Sequence, residues 1–308
     1  MAIDAELQGP VAGAPSPPER LALGRATRAQ SSLWRDALRH LLHDKAAVAG
    51  LCVIALLLVV ALFAPVVAPH DPNDQDFLNK LKPPSTGALF GTDEFGRDIF
   101  SRVLYGSRVA LFVGLIPVAA ALIAGVAFGL LAGYYGGAID QVIMRLIDIL
   151  LAFPWLLLAI GIMAILGPGL TNVIIAIAIV YIPAFARIVR GSVLSIKEKE
   201  YVEAARALGQ PDYRIMTRHI LANAWAPIIV QATLSIGEAI IEAAGLSFIG
   251  LGTQPPDADW GVMLASGRQH LRDGPWLGIF PGLAILVTVL AFNLFGDGLR
   301  DALDPRLR

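Results

Sequence analysis

Long stretches without charged side chains dominate this sequence and restrict what it can fold into. Residues 46–69, 109–139, 149–186 and 274–296 contain no Asp, Glu, Lys or Arg. A helix needs about 20 apolar residues to cross the hydrocarbon core of a bilayer, so each stretch allows at least one crossing. Only 16% of the 308 residues are charged, against about 25% in an ordinary soluble domain. The chain is therefore predicted to be an all-α polytopic membrane protein.

The number of crossings follows from where these stretches are interrupted. The stretch 149–186 is long enough for two helices, with a break expected at Gly167-Pro168-Gly169. Another apolar segment follows residue 219 and carries Glu238 and Glu242. Six transmembrane helices are predicted, at about 46–68, 109–133, 146–166, 173–189, 226–249 and 279–296.

The N-terminal region divides into a tail and a short amphipathic segment. Residues 1–32 are rich in Pro, Ala and Gly and are predicted to form a disordered cytoplasmic tail. The next segment is predicted to be a helix lying on the membrane surface, or else a simple extension of the first span. One face of that helix collects its large apolar residues: Trp34, Leu38, Leu41 and Leu42.

The distribution of basic residues predicts the topology. With the N-terminus inside, 17 of the 24 Lys and Arg residues lie on the cytoplasmic side, as the positive-inside rule requires. Both termini are thus predicted to be cytoplasmic. The predicted division of the remaining chain is a segment 33–106 (surface helix, first transmembrane helix and external segment), a transmembrane core 107–297 and a cytoplasmic tail 298–308. The net charge of −1 gives no reason to expect a nucleic-acid partner.

The longest charged segment between spans, residues 190–225, is predicted to form a helix–turn–helix on the cytoplasmic side. Gly209 is placed to end the first helix, Pro211 prevents its continuation and Asp212 can cap the second. By itself this pattern fits either a docking surface or a solvated amphipathic loop. Four residues of the first helix fall on one face at helical spacing: Tyr201, Ala204, Ala205 and Leu208.

The same segment resembles the EAA loop of type I ABC importer permeases. The resemblance rests on Glu203-Ala204-Ala205, on Gly209 and on the later Arg218-His219-Ile220-Leu221. It implies a coupling helix that sits in a groove of a cytoplasmic ATP-binding subunit. The family usually has proline where this chain has Ala222. The ATPase-coupling residues implied are Tyr201, Glu203, Ala204, Ala205, Leu208 and Gly209.

Other motifs are similar to the second, or "C"-type, permease of the dipeptide, oligopeptide and nickel importers. They include Gly91 to Asp98, the run Glu242 to Gly252, and Asn293 to Pro305. The resemblance implies a type I ABC importer transmembrane domain that forms half of a translocation path in a bacterial or archaeal cytoplasmic membrane. It also implies a sister permease, two ATP-binding subunits that hold ATP and Mg, and an extracytoplasmic substrate-binding protein. Dipeptides, longer peptides, glutathione and nickel chelates all stay open as substrates.

Two acidic residues in the fifth predicted span need a polar environment. Glu238 and Glu242 are four residues apart and share one helix face, and each charge at a helix centre costs about 2.5–3.5 kcal/mol on insertion. We expect them, with Ser247, to line or gate the translocation path; the other possibility is that they pair with a partner subunit. An alternative function, an ion-coupled secondary transporter, would use the same two carboxylates.

Two further regions are given structural interpretations. Asp148 is expected to pair with Arg145, three residues earlier. The predicted external loop 251–278 is expected either to touch a loaded binding protein or to anchor at the interface through its tryptophans. The residues 91–98 are expected to brace the external side by turns and ion pairs, through Gly91, Thr92, Asp93, Gly96, Arg97 and Asp98.

Enzymatic motifs are absent from the sequence. No G-x-x-x-x-G-K-[ST] loop for nucleotide phosphates occurs, so ATP hydrolysis is expected on separate subunits. The five histidines and the single Cys52 form no metal-ligand pattern. The chain is therefore predicted to be a transport subunit that binds no cofactor or metal of its own.

Overall fold

A computed structural model describes residues 33–303, and within that range the fold is built from helices. A short 3₁₀ turn, Phe77–Asn79, lies between the helices Lys45–Val67 and Ile99–Tyr135. The helices are α1 Leu33–His43, α2 Lys45–Val67, α3 Ile99–Tyr135, α4 Gly137–Leu151, α5 Trp155–Leu166, α6 Leu170–Ile196, α7 Glu200–Ala207, α8 Asp212–Phe248, α9 Trp260–Gln269 and α10 Trp276–Leu303.

Five of these helices are long and apolar enough to cross a membrane: α2, α3, α6, α8 and α10. A sixth crossing exists if α4 and α5 count as one span, but these two helices are bent by 92° at the break between them. The expectation of one helix over 146–166 is therefore wrong. Pro154 precedes α5, and a proline lacks the N–H of a continuous helix and disfavours helical backbone in the residue before it.

Several helices extend well beyond the predicted spans. α3 begins at Ile99 because the side chain of Asp98 caps it, accepting from the Ser101 N–H at 2.8 Å. α10 continues to Leu303, into the predicted tail 298–308. An apolar stretch shows which part of a helix can lie in the bilayer, whereas capping residues determine where the helix begins and ends. The predicted tail 1–32 and residues 304–308 lie outside the described residues.

The N-terminal helix α1 is separate from the first span. Asp44 has extended backbone and caps α2, its carboxylate accepting from the Ala46 N–H at 2.9 Å. The interpretation as a simple extension of the span is therefore wrong. Leu41 is buried in a small cluster with Ala302 near the end of α10, while Leu38 is 55% exposed.

The most extensive helix contact joins α3 to α6. Three glycines of α3, spaced four residues apart, let the two backbones approach: Gly125, Gly129 and Gly133. A Cβ on Gly129 would lie 2.6 Å from the Ala186 carbonyl oxygen, and one on Gly133 would lie 2.7 Å from the Val193 Cβ. Small residues of this kind are what membrane helices use for close packing. These three glycines form the glycine ridge of α3. The close contact between α3 and α6 that they allow supports α7.

Candidate functional site

The short helix α7 has one face anchored and one face uncovered. Val202 and Ala205 are 0% and 4% exposed and belong to an apolar cluster with Val193 of α6 and Ile215 of α8. Leu208, just beyond the end of α7, is 81% exposed. Tyr201, Glu203 and Ala204 are exposed as well. The predicted shared face is therefore right for Tyr201, Ala204 and Leu208 but wrong for Ala205, which turns inward.

The turn after α7 follows the sequence prediction except at its cap. Gly209 has a positive φ of 74°, a conformation that glycine adopts without steric cost, and its N–H donates to the Arg206 carbonyl at 2.9 Å. Pro211 occupies the cap position of α8 and Asp212 is the first helical residue, with no side-chain cap bond. The expectation that Asp212 caps α8 is wrong, because its carboxylate accepts from the Tyr134 hydroxyl instead.

The start of α8 passes through the position where the family usually has proline. Residues Ile215–Leu221 form a π-helical stretch, and α-helical structure resumes at Ala222. The helix therefore runs from the turn into the membrane segment without a break. Pro227 lies farther along the same helix.

Two ion pairs tie α4 to α6 at this end of the bundle. Arg190 donates to Asp140 through both Nε and Nη2, at 2.5 and 2.6 Å. Arg187 donates to Asp148 at 2.7 Å, so the predicted pairing of Asp148 with Arg145 is wrong. The spacing of three residues favoured a local partner, but α6 supplies one from farther along the chain.

At the other end of the bundle, residues 91–98 form a compact bonded turn. The Arg97 Nε lies 2.6 Å from Asp93 Oδ2, and the main-chain N–H of Arg97 donates to the other oxygen of the same carboxylate at 2.9 Å. Gly91 and Gly96 have positive φ of 79° and 80°. The Lys82 N–H donates to Thr92 Oγ1 at 2.9 Å. The arrangement therefore braces the start of α3.

Arg102 is the central residue of this end, and no role was predicted for it from the sequence. It is 2% exposed. Its guanidinium donates to the carbonyls of Pro72 at 2.8 Å, Pro256 at 3.2 Å and Asp257 at 3.3 Å, and its Nε lies 3.8 Å from Asp93. A single arginine thus bonds both to the segment before α3 and to the segment before α9. A charged residue in the first turn of a membrane helix is the signal that points to it.

The predicted external loop 251–278 is packed into the fold. It contains α9, and Trp260 is 4% exposed with its indole N–H donating to the Val103 carbonyl at 3.0 Å. The Trp276 indole donates to the Thr92 carbonyl at 3.1 Å. Interfacial anchoring by Trp260 is therefore wrong, because its ring lies inside the protein.

The two glutamates of α8 lie on a face that this chain covers only partly. Glu238 is exposed, and its Oε2 lies 3.5 Å from the hydroxyl of Tyr181 on α6. Oε2 of Glu242 is buried without a hydrogen-bond partner among the described residues. Ser247 lies elsewhere: it is 4% exposed and donates to Asp259 at 3.2 Å. The structure brings Glu238 and Glu242 together with Tyr181 but not with Ser247.

Among residues 33–303, no three His, Cys, Asp or Glu side chains are placed to hold a metal ion. Cys52 is exposed on α2 as a free thiol.

Comparison with known proteins identifies the family. Residues 125–308 match the model of the binding-protein-dependent transport system inner membrane component, and residues 32–84 match the N-terminal TM domain of oligopeptide transport permease C. The dipeptide transport system permease protein DppC of Alkalihalophilus pseudofirmus is 51% identical over 90% of this chain and 91% of that protein. The glutathione transport system permease protein GsiD of Pectobacterium atrosepticum is 48% identical over 89% and 92%.

A solved structure supports the same fold. The inward-facing MetNI methionine ABC transporter matches with a TM-score of 0.53 at 18% identity, over 66% of this chain and 96% of that one. None of these matches is an ion-coupled carrier, and the sequence-based alternative of secondary transport gains nothing from them. The chain belongs to the binding-protein-dependent transport system inner membrane components and is a permease subunit of an ABC importer.

Proposed function

We propose that this permease forms half of a peptide translocation path and that the outer face of α7 docks into an ATP-binding subunit. The observation that supports the docking role is the division of α7 into two faces. Val202 and Ala205 fix the helix in the apolar cluster, while Leu208 is 81% exposed and Tyr201 is 44% exposed. Large apolar side chains held outward on a firmly anchored helix suit insertion into a groove of a partner protein.

The substrate class proposed is di- and oligopeptides or a related small solute. Relatives of this chain carry names for dipeptide, di/tripeptide and glutathione transport, and all of these substrates share peptide bonds. The partners proposed are a sister permease, two ATP-binding subunits that hold ATP and Mg, and an extracytoplasmic binding protein. The membrane proposed is the bacterial or archaeal cytoplasmic membrane, with both chain termini inside, because most basic residues then face the cytoplasm.

A mild-detergent pull-down of the tagged chain from its native membrane tests the docking role. Wild type is compared with a Glu203→Lys, Gly209→Trp double variant, and the captured proteins are identified by mass spectrometry. The double variant reverses an exposed charge and puts a bulky side chain at a positive φ. We expect wild type to capture the ATP-binding subunits. With the double variant we expect their yield to fall about tenfold or more, because an unfavourable charge or a steric clash at a docked helix costs about 1.4 kcal/mol or more.

A charge reversal at the opposite end of the bundle is the matched control. Asp273 is exposed outside α9 and α10, and Asp273→Lys is expected to keep the ATP-binding subunits. Elution as a single folded species shows that each variant is intact. Equal capture of the ATP-binding subunits by wild type and the double variant contradicts the docking role of α7, and their absence from every sample contradicts this partnership altogether.

We also propose that Glu238 and Glu242 face the translocation path. They lie on a partly uncovered face of α8, and the buried oxygen of Glu242 has no partner among the described residues. A carboxylate at membrane depth needs a polar surrounding, which a water-filled path between two permease subunits would provide.

Import of a labelled dipeptide by the reconstituted complex, compared with glutathione and a nickel chelate, tests the substrate class. Import of the nickel chelate alone contradicts it.

A further inference from the structure

Tyr134 connects the end of α3 to the far side of the α7 turn. Its hydroxyl donates to Oδ1 of Asp212 at 2.6 Å, across 78 residues of sequence. Tyr134 lies next to the last residue of α3, and Asp212 is the first residue of α8. The bond therefore joins a membrane-crossing helix to the turn that follows α7.

The same aromatic ring also contacts α7 itself. The Arg206 guanidinium lies 5.8 Å from the centre of the Tyr134 ring, within range of a cation–π interaction. Tyr134 packs against the apolar cluster that holds Val202. The Tyr134 side chain thus contacts Arg206 before the Gly209 turn and Asp212 after it.

A second tether acts beside it. The Lys197 ammonium, at the end of α6, donates to the Gly133 carbonyl at 3.1 Å. Gly133 is also the last glycine of the ridge on which α3 and α6 pack. The last turn of α3 is therefore bonded to the segment that carries α7 at both ends of that segment.

We propose that Tyr134 is a positioning residue that holds α7 at a fixed distance from the end of α3, so that a displacement of α7 passes to α3 and α6. The inference rests on the proposed docking role of α7. The phenol ring supplies the packing, and the hydroxyl supplies the directional bond to Asp212. Because the hydrogen bond is exposed to solvent, its removal leaves the buried cluster unchanged.

The test measures the distance between two spin labels in the purified complex with its ATP-binding subunits. The labels are placed at Leu131 of α3 and Ala207 of α7, both exposed, in a Cys52→Ser background. We expect wild type to keep one narrow distance both without nucleotide and with ATP and vanadate. In Tyr134→Phe we expect a second, longer distance, because losing one hydrogen bond shifts a local equilibrium about fivefold.

Three further variants separate the bond from general packing. Tyr135→Phe removes the neighbouring hydroxyl, whose ring meets Tyr134 edge-on, and should keep the narrow distance. Asp212→Ala should reproduce the effect of Tyr134→Phe, and the double variant should show no more. Asp212→Asn keeps an oxygen acceptor and should restore the wild-type distribution.

Two results would overturn the proposal: a Tyr134→Phe distribution that superimposes on wild type, or equal broadening in Tyr135→Phe. Failure of the docking role is a separate result, since it appears as retention of the ATP-binding subunits by Glu203→Lys, Gly209→Trp. In complexes that import labelled dialanine, we expect Tyr134→Phe to lower the amount of peptide transported per ATP about threefold or more. The yield of assembled complex should stay the same. A purely structural role would instead lower assembly and leave this ratio unchanged.

Discussion

Trp260 of α9 and Gly106 of α3 lie so close that no side chain fits between them. A Cβ on Gly106 would be 2.5 Å from two atoms of the indole ring, and the indole N–H donates to the Val103 carbonyl at 3.0 Å. The tryptophan thus fills the space that the glycine leaves and bonds to α3 one turn away. This contact, rather than membrane anchoring, explains why a large aromatic residue begins α9.

Gly106→Ala should destabilise the protein, because the added methyl group must push the buried indole away from α3. Overpacking of this kind costs about 1–3 kcal/mol. The measurement is the thermal unfolding midpoint of the purified complex in detergent. Gly161→Ala in α5 is the control, since a Cβ there meets nothing within 4 Å, and it should leave the midpoint equal or raised. Equal midpoints for wild type and Gly106→Ala would show that Trp260 is free to shift.

Arg102→Lys should loosen the end of the bundle around residues 91–98. A lysine presents one point charge, whereas the planar guanidinium of Arg102 reaches carbonyls on two separate segments. Losing hydrogen bonds from a buried charged donor costs about 1.5–3 kcal/mol. We expect a lower unfolding midpoint and faster proteolysis of the 70–98 segment in membrane vesicles.

Arg108→Lys is the matched control for this prediction. Arg108 lies on the same helix but is exposed, so its replacement by lysine should change neither measurement. If Arg102→Lys were as stable and as protease-resistant as Arg108→Lys, the carbonyl contacts would contribute little to the fold.

Features set by local spacing could be predicted from the sequence. The uncharged stretches located the spans because lipid excludes charge, and Gly209 with Pro211 marked the turn after α7 because these residues restrict the backbone. The bend before α5 was missed, although Pro154 is its signal in the sequence. Hydropathy does not distinguish one straight span from two helices at 92°.

Features set by contacts between distant residues could not be predicted in the same way. Asp148 has a nearby arginine in sequence, but its partner is Arg187 on another helix. The sequence suggests Asp212 as a helix cap, but its carboxylate accepts a hydrogen bond from the Tyr134 hydroxyl instead. The glycine ridge of α3 could have been found, because its spacing of four residues is itself a packing signal.

Exchanging one side chain on each face of α7 should separate stability from docking. Val202→Ala removes two methyl groups from a fully buried position, so it should lower the free energy of unfolding by about 1.5 kcal/mol or more and lower the unfolding midpoint with it. Leu208→Ala removes a side chain that is 81% exposed and should leave the midpoint of the isolated chain unchanged while weakening capture of ATP-binding subunits. Midpoints and pull-down yields are measured on the same preparations. The reverse pattern would mean that the two faces of α7 are wrongly assigned.

Glu242→Gln should lower peptide import without preventing assembly, if the α8 carboxylates face the path. The amide keeps the shape of the side chain but removes the charge, and Tyr181 stays in place beside Glu238. We expect import of a labelled dipeptide to fall about tenfold, since losing a charge-assisted hydrogen bond to the passing peptide is worth about 1.4 kcal/mol or more. Asp301→Asn, at an exposed position of α10, is the control. Loss of the sister permease from the purified Glu242→Gln complex would show instead that this carboxylate holds the two subunits together.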